Sequence, residues 1–134
     1  MIDCSFSSAL FIPDEKSDFI NDFFKNINSA DRIYVPHLWW YETNNVLNIA
    51  VKRQRMTHND FSRVTELFSR MRIETDGEYG FIFNREIFDL SQQYKLSSYD
   101  SVYLELAMRK KCILMTLDKD LIAAAKVIGI PCGL

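Results

Sequence analysis

Side chains that bind soft metals or form disulfides are scarce in this sequence. Its 134 residues include only three cysteines and two histidines. Cys4, Cys112 and Cys132 are odd in number and have no C-x-x-C spacing, which argues against a disulfide framework and a zinc site. This usage is typical of reduced thiols in a cytosolic protein. With only His37 and His58 available, a histidine-built metal centre is also disfavoured.

Long apolar runs and a positive net charge are missing as well. No stretch approaches the length of a membrane span, and Asp3 and Cys4 interrupt the apolar start where a signal peptide would begin. We therefore expect a cytoplasmic protein without a membrane segment. The formal net charge of −2 argues against a protein that holds nucleic acid by overall charge alone. It leaves room for a nucleic-acid enzyme whose local positive charge comes from a bound metal.

Glycine and proline are also rare, at four and three residues, and no linker, repeat or low-complexity tract interrupts the chain. The sequence is 48% hydrophobic and 13% aromatic, which is typical of a folded globular protein. Its length suits one domain with a sizeable core. We therefore predict a single domain over residues 1–134.

Short apolar segments alternate with helical periodicity along the chain. Strands are predicted over 32–35, 72–75 and 112–117, with a very short one at residues 1–4 and an edge strand at 130–134. Helices are predicted over 15–28, 37–53, 98–110 and 119–128, and also from the Thr57 cap and around Phe83–Tyr94. Strands separated by helices indicate a parallel α/β sheet covered on both faces.

The helix over 37–53 contains a carboxylate in an apolar stripe. Leu38, Glu42, Val46 and Ile49 are spaced to share one face. The three apolar residues are predicted to pack against the sheet and hold Glu42 at the strand ends. An isolated buried carboxylate is costly, so Glu42 needs a cation, which is either a metal or a basic side chain on a neighbouring element.

Three further acidic residues lie near strand exits or helix starts. Asp3 follows the first strand, Asp100 lies in the first turn of the 98–110 helix, and Asp118 follows the 112–117 strand. Ligands of parallel α/β folds bind at the carboxyl ends of the strands, so these residues and Glu42 can converge there. Four carboxylates repel one another unless a cation neutralises them, and all-oxygen ligation suits Mg²⁺ or Mn²⁺. Such a site activates water for phosphodiester hydrolysis.

Each acidic residue also has a structural explanation. Asp118 is a natural N-cap, and Asp100 completes an S-x-x-D capping pattern with Ser97. The structural alternative for Asp3 is a polar residue near the chain terminus. Asp120 fits a first-turn acid favoured by the helix dipole, or a second metal contact beside Asp118.

Four fragments in order resemble the PIN domain family, and most closely its VapC-type toxin ribonucleases. The fragments are "IDCSFSSALFIPDE", "VPHLWWYETNNVL", "LSSYDSVYLELAMRK" and "ILMTLDKDLIAAAK". The acidic positions of the family match Asp3, Glu42 in an E-x-x-N context with Asn45, Asp100, and Asp118 after Thr116. Cys4 departs from the pattern, since the family usually has threonine, alanine or serine there.

The resemblance implies a three-layer α/β/α fold with a mostly parallel sheet and a Mg²⁺- or Mn²⁺-dependent endoribonuclease, the toxin of a type II toxin–antitoxin pair. It assigns Asp3, Asp100 and Asp118 as metal ligands, directly or through water, while Glu42 completes the cluster or orients a metal-bound water. The supporting positions that it implies are Ser5, Asn45, Thr116 and, as an alternative fourth ligand, Asp120. The competing functions are a catalytically inert PIN-like module that binds RNA or protein and, less well supported, a receiver domain.

Two surface features bear on partners. The cations at the end of the 37–53 helix either stabilise the helix C-terminus or contact RNA phosphates, and they are Lys52, Arg53 and Arg55. The consecutive aromatics Trp39, Trp40 and Tyr41 span too wide an arc to enter one core together, so at least one is expected at an interface. VapC-type proteins pair with themselves and with a small antitoxin that covers the acidic pocket. The resemblance therefore implies a homodimer and an antitoxin partner.

Overall fold

The computed structural model describes residues 1–12, 18–28 and 30–133. In this part of the chain the helices are α1 (Cys4–Ser8), α2 (Asp18–Asn26), α3 (His37–Lys52), α4 (His58–Ser69), α5 (Phe81–Tyr94), α6 (Ser98–Lys110) and α7 (Lys119–Ile128), and the strands are β1 (Ile33–Pro36) and β2 (Ile73–Asp76). Residues 15–17 of the first predicted long helix lie outside the described residues. No helix among the described residues is both long and apolar enough to cross a lipid bilayer.

All the strand pairing in the described residues is parallel. β1 pairs with β2 in a register that places Ile33 opposite Ile73. Isolated parallel bridges join Ile2 to Met115 and Leu114 to Cys132. The predicted α/β class, with a parallel sheet flanked by helices, is therefore confirmed.

The strand prediction for 112–117 was too long. In this segment Met115 pairs with Ile2 on one side and Leu114 pairs with Cys132 on the other. The pairing is short because the partner segments cover only residues 1–3 and 131–133. The amide of Met115 donates to the Met1 carbonyl at 2.9 Å, and the amide of Leu114 donates to the Pro131 carbonyl at 2.9 Å. The first strand and the expected final edge strand are likewise single bridges.

Leu38 and Val46 of the predicted core face are partly buried against the core, but the fully buried face of α3 lies about one residue further round the helix. Its buried residues are Trp39, Thr43, Leu47 and Ala50, whereas Ile49 is 38% exposed. Trp39 decides the orientation: its ring is fully buried against Phe68, at 5.2 Å between ring centroids, and its indole nitrogen donates to Ser7 Oγ at 3.0 Å. Burying this large side chain turns the helix by about 100°, one residue, from the predicted orientation. Glu42 is consequently half-buried at the side of the helix.

Local sequence signals set the helix ends as predicted. Thr57 and Asp60 form a reciprocal capping box at the start of α4. Gly129 ends α7 with a φ of 85°, a left-handed conformation that glycine adopts without a Cβ penalty. α6 and α7 begin and end at the predicted residues.

An ion-pair network attaches α6 to the end of β2. The guanidinium of Arg109 donates to both carboxylate oxygens of Asp76, at 3.0 and 2.6 Å, and also pairs with the buried Glu105 at 2.6 Å. Lys110 adds a contact to Asp76 at 3.4 Å. The hydrogen bonds from Arg109 lower the pKa of Asp76 below its ordinary value of 3.8. This network holds the helix that carries Asp100 against the sheet.

Replacing Asp76 with asparagine should destabilise the protein by about 2 kcal/mol at pH 7, because a bidentate, largely desolvated pair with Arg109 is lost. The lowered pKa means that Asp76 stabilises the fold above pH 3.8 and that this contribution disappears as the pH falls through the folded-state pKa. Urea unfolding of both proteins at pH 7 and pH 3 measures the difference. Asp89→Asn, at an exposed position of α5, is the matched control. An equal loss at both pH values would contradict the ion-pair account.

Candidate active site

Asp3 is a buried carboxylate at the exit of the first strand segment. It is 5% exposed and caps α1, where Oδ1 accepts from the Phe6 amide at 2.8 Å. Ser5 Oγ lies 2.9 and 2.8 Å from its two oxygens, and Thr116 Oγ1 donates to Oδ2 at 2.5 Å. Burial raises the pKa of Asp3 to about 6, and the charge on Asp118 adds to the rise, although these hydrogen bonds oppose it.

Asp118 lies beside Asp3 because the backbone pairs at Ile2 and Met115. It is the N-cap of α7, with Oδ1 accepting from the Leu121 amide at 2.8 Å. Its own amide donates to Thr116 Oγ1 at 3.0 Å, so the Thr116 hydroxyl joins Asp118 to Asp3. The capping interpretation of Asp118 is therefore correct, and the same residue contributes charge to the Asp3 site.

Ser5 and Thr116 lie at the positions expected for supporting hydroxyls. Ser5 Oγ contacts Asp3 and also accepts from the Leu117 amide at 2.9 Å, so it ties α1 to the segment before α7. The alternative ligand Asp120 is exposed and lines a separate cavity beside Gln93 and Lys95. The structure therefore favours Asp118 over Asp120 as the neighbour of Asp3.

Glu42 lies within electrostatic range of Asp100, as Asp3 does of Asp118, and we refer to the two sets as carboxylate pairs. Burial raises the pKa of Glu42, and the charge on Asp100 raises it further. Asp100 lies in the first turn of α6, where its amide donates to Ser97 Oγ at 3.0 Å and its Oδ2 accepts from the same hydroxyl at 2.6 Å. The capping pattern predicted for Ser97 and Asp100 is thus present.

Tyr103 is the partner of Glu42 that the sequence interpretation missed. Its hydroxyl donates to Glu42 Oε2 at 2.5 Å, and this hydrogen bond lowers the pKa of Glu42 against the effect of burial. Burial, followed by the neighbouring Glu42 carboxylate, raises the pKa of Tyr103, so the phenol remains a donor. Asp100 and Tyr103 are three residues apart on α6 and share a face, which is the signal that would have indicated the contact.

Cys4 lies near one carboxylate of each pair. Its sulfur lies 3.5 Å from Ser8 Oγ and 3.9 Å from Thr43 Oγ1. Burial raises the pKa of the Cys4 thiol, and the negative charges of Glu42 and Asp3 raise it further. Cys4 is therefore within electrostatic range of one carboxylate from each of the pairs Asp3–Asp118 and Glu42–Asp100.

Comparison with known families identifies the architecture. The family model for the PIN domain matches residues 1–127. The chain belongs to the PIN domain family. A structural match is the crystal structure of PAE2754 from Pyrobaculum aerophilum, with a TM-score of 0.67 and 22% sequence identity over 92% of this chain and 76% of that one. This match supports the PIN fold. No curated protein matches the chain.

PIN domains are generally nucleases and typically use divalent metals. In this PIN domain, no three His, Cys, Asp or Glu side chains within residues 1–12, 18–28 and 30–133 are arranged to hold a metal ion together. The donor chemistry nevertheless fits a magnesium-like cation, which takes one or two carboxylates and fills its remaining positions with water. Asp3 and Asp118 are the pair that would hold it, because burial and mutual repulsion already disfavour two uncompensated charges there.

The remaining predicted residues lie outside these pairs. Asn45 is exposed on α3 and lines a groove towards α4. Lys52 is the last residue of α3, Arg53 is its C-cap and Arg55 follows, all three being exposed.

The metal-free Asp3→Asn variant should be more stable than the native protein at neutral pH. The raised pKa of Asp3 means that its ionisation costs stability progressively between pH 3.8 and about 6. Asparagine keeps the cap without the charge, so we expect a gain of about 2 kcal/mol at pH 7.5 and none at pH 3. Urea unfolding with a chelator present measures both values. Ser8→Ala, on the same helix, is the control for side-chain changes in α1. A loss of stability at both pH values would show that Asp3 is chiefly structural.

Proposed function

We propose that this PIN domain is a divalent-metal-dependent endoribonuclease that acts as the toxin of a type II toxin–antitoxin pair. The observation that carries the nuclease proposal is the buried Asp3 carboxylate, held by three side-chain and backbone donors beside Asp118. A carboxylate kept in such a costly position needs compensation, and in a nuclease family the natural compensation is a metal cation. The choice of RNA and of the toxin role rests on the resemblance of the four acidic fragments to VapC-type proteins.

Each residue of the site has a chemical role in this proposal. A bound Mg²⁺ or Mn²⁺ would supply a water of lowered pKa and offset the charge that develops on the phosphoryl oxygens. Asp3 and Asp118 would hold that cation, and Asp100 would contact it through water. Glu42, whose pKa is raised by burial, would accept a proton from the attacking water at Oε1 while Tyr103 holds Oε2.

Protein partners are also part of the proposal. Around the start of α5, the side chains of Tyr79, Phe81 and Ile82 are 87%, 96% and 80% exposed. Apolar surface of this kind is typical of contact with another protein. It supports a homodimer and a small antitoxin as partners.

A catalytically inert RNA- or protein-binding module is the second candidate. The observation that favours it is the absence, among the described residues, of three metal-binding side chains arranged together. Metal binding and RNA cleavage distinguish the two functions.

Mg²⁺ or Mn²⁺ should stabilise the protein and support cleavage of RNA. A cation at a hundredfold excess over its dissociation constant raises the free energy of unfolding by about 2.7 kcal/mol, which thermal melting detects. Asp3→Asn and Asp118→Asn should abolish the stabilisation and slow cleavage of total RNA by at least about 100-fold. Asp120→Asn is the matched control and should cleave normally. If neither metal stabilises the protein and no RNA is cleaved, the inert module is the correct function.

Tyr103→Phe should lower kcat about tenfold with little change in KM, because the hydroxyl orients Glu42 without contacting the substrate. Tyr99→Phe, at a 64% exposed position on the same helix, is the control and should behave as the native enzyme. Steady-state cleavage of a defined RNA over a range of substrate concentrations measures both constants. A change confined to KM would instead assign Tyr103 to substrate binding.

A further inference from the structure

A groove runs between α3 and α4 on the outer surface of the domain. Its cavity of about 520 Å³ is lined by Tyr41, Asn44, Asn45, Asn48, His58 and Phe61. A second cavity of about 400 Å³ adjoins it, sharing Tyr41, Asn44 and Phe61 and adding Trp40. Because the two cavities share these three lining residues, we call them together the α3–α4 groove.

The groove presents aromatic surface to solvent. Tyr41 is 75% exposed and Trp40 is 44% exposed. The Trp40 indole nitrogen donates to Thr75 Oγ1 at 2.8 Å, which fixes the ring relative to β2. Immobilised, accessible aromatic faces are the surfaces on which unpaired nucleic-acid bases stack.

Three asparagine amides, His58, Thr43 and Thr65 form the polar lining of the groove, and the cations Lys52 and Arg53 lie beyond it at the C-terminus of α3. Each asparagine offers both a donor and an acceptor, as base edges do. None of the described residues that line the two cavities is acidic. Tyr41, Asn45, Asn48 and Lys52 are spaced to share one face of α3, and they extend for about 16 Å along it.

The groove and the candidate active site share helix α3. Tyr41 precedes Glu42 directly, and Asn45 follows it by less than one helical turn. The opposite end of the groove is marked by Lys52 and Arg53 at the C-terminus of α3. A strand that enters the site at Glu42 can therefore continue along α3 towards these cations.

We propose that the α3–α4 groove binds an unpaired segment of the RNA substrate beside the cleaved phosphodiester. Bases stack on Trp40 and Tyr41, the asparagine amides contact base edges, and Lys52 contacts a backbone phosphate. This inference rests on the proposed ribonuclease function. A protein partner is the competing occupant, but the amide lining and basic end favour a polyanion with exposed bases over the apolar contacts offered at Tyr79, Phe81 and Ile82.

Binding can be measured apart from cleavage. A fluorescein-labelled 12-nucleotide single-stranded RNA, and the duplex of the same sequence, are titrated into Asp3→Asn protein in a chelator. Tyr41→Ala should weaken single-strand binding about tenfold, because one stacked base is lost, and should leave duplex binding unchanged. Phe81→Ala, which removes an exposed aromatic outside the groove, should have no effect.

Charge changes at Lys52 and at Asn48 test the phosphate contact and the lining of the groove, respectively. Lys52→Ala should reduce the slope of log affinity against log salt concentration by about 0.7, the value for one phosphate contact to a single strand. Lys126→Ala, at an exposed position of α7, should not change the slope. Asn48→Asp should weaken binding at least fivefold, whereas Asn84→Asp, which adds the same charge on α5, should not.

The outcomes separate this proposal from the nuclease function. If the groove variants bind single-stranded RNA as their controls do, or if no single-stranded RNA binds, the groove proposal is overturned. A shift of these variants from dimer to monomer in sedimentation, with RNA affinity unchanged, would assign the groove to a protein partner instead. If the affinity losses occur but the native protein with metal cleaves no RNA, the groove binds RNA and the nuclease function fails.

Discussion

The parallel pairing of Ile2 with Met115 is the contact on which the candidate site depends. It joins segments 113 residues apart in sequence, and the amide of Asp3 donates to the Met115 carbonyl at 3.0 Å. Without this pairing, Thr116 would not reach Asp3, and Asp118 would only cap a helix. Because few backbone hydrogen bonds join the two segments, side-chain hydrogen bonds also hold them together. Ser5 and Thr116 each bond to both segments.

The site also shows how one residue serves stability and chemistry together. Asp118 accepts a hydrogen bond from the Leu121 amide in the first turn of α7, and its negative charge raises the pKa of Asp3. Asp100 is held by Ser97 while it raises the pKa of Glu42. A capping hydrogen bond locks the side chain into one orientation, which is what a site for a cation requires. Capping and function are therefore not competing explanations for these two residues.

The helices were predictable from sequence because their signals are local. The capping box at Thr57, the glycine stop at Gly129 and the ends of α6 depend on residues within one turn of each other. The buried face of α3 was not predictable in the same way, because Leu38 and Trp39 both offered an apolar stripe and only Phe68 and Ser7 decide between them. The Tyr103–Glu42 hydrogen bond spans 61 residues, so its only sequence signal was indirect, namely that Tyr103 shares a helical face with Asp100.

Different segments of the chain position the two carboxylate pairs. Asp3 and Asp118 are attached to the junction between the first segment and residue 115, whereas Glu42 and Asp100 belong to α3 and α6, the latter tied to β2 through Arg109. A change in the position of α6 therefore moves Asp100 and Tyr103 relative to Glu42, while the Asp3–Asp118 pair is left undisturbed. Substitutions at Asp76 or Glu105, remote from the reacting groups, would in this way change cation affinity by moving Asp100 while Asp3 and Asp118 stay in place.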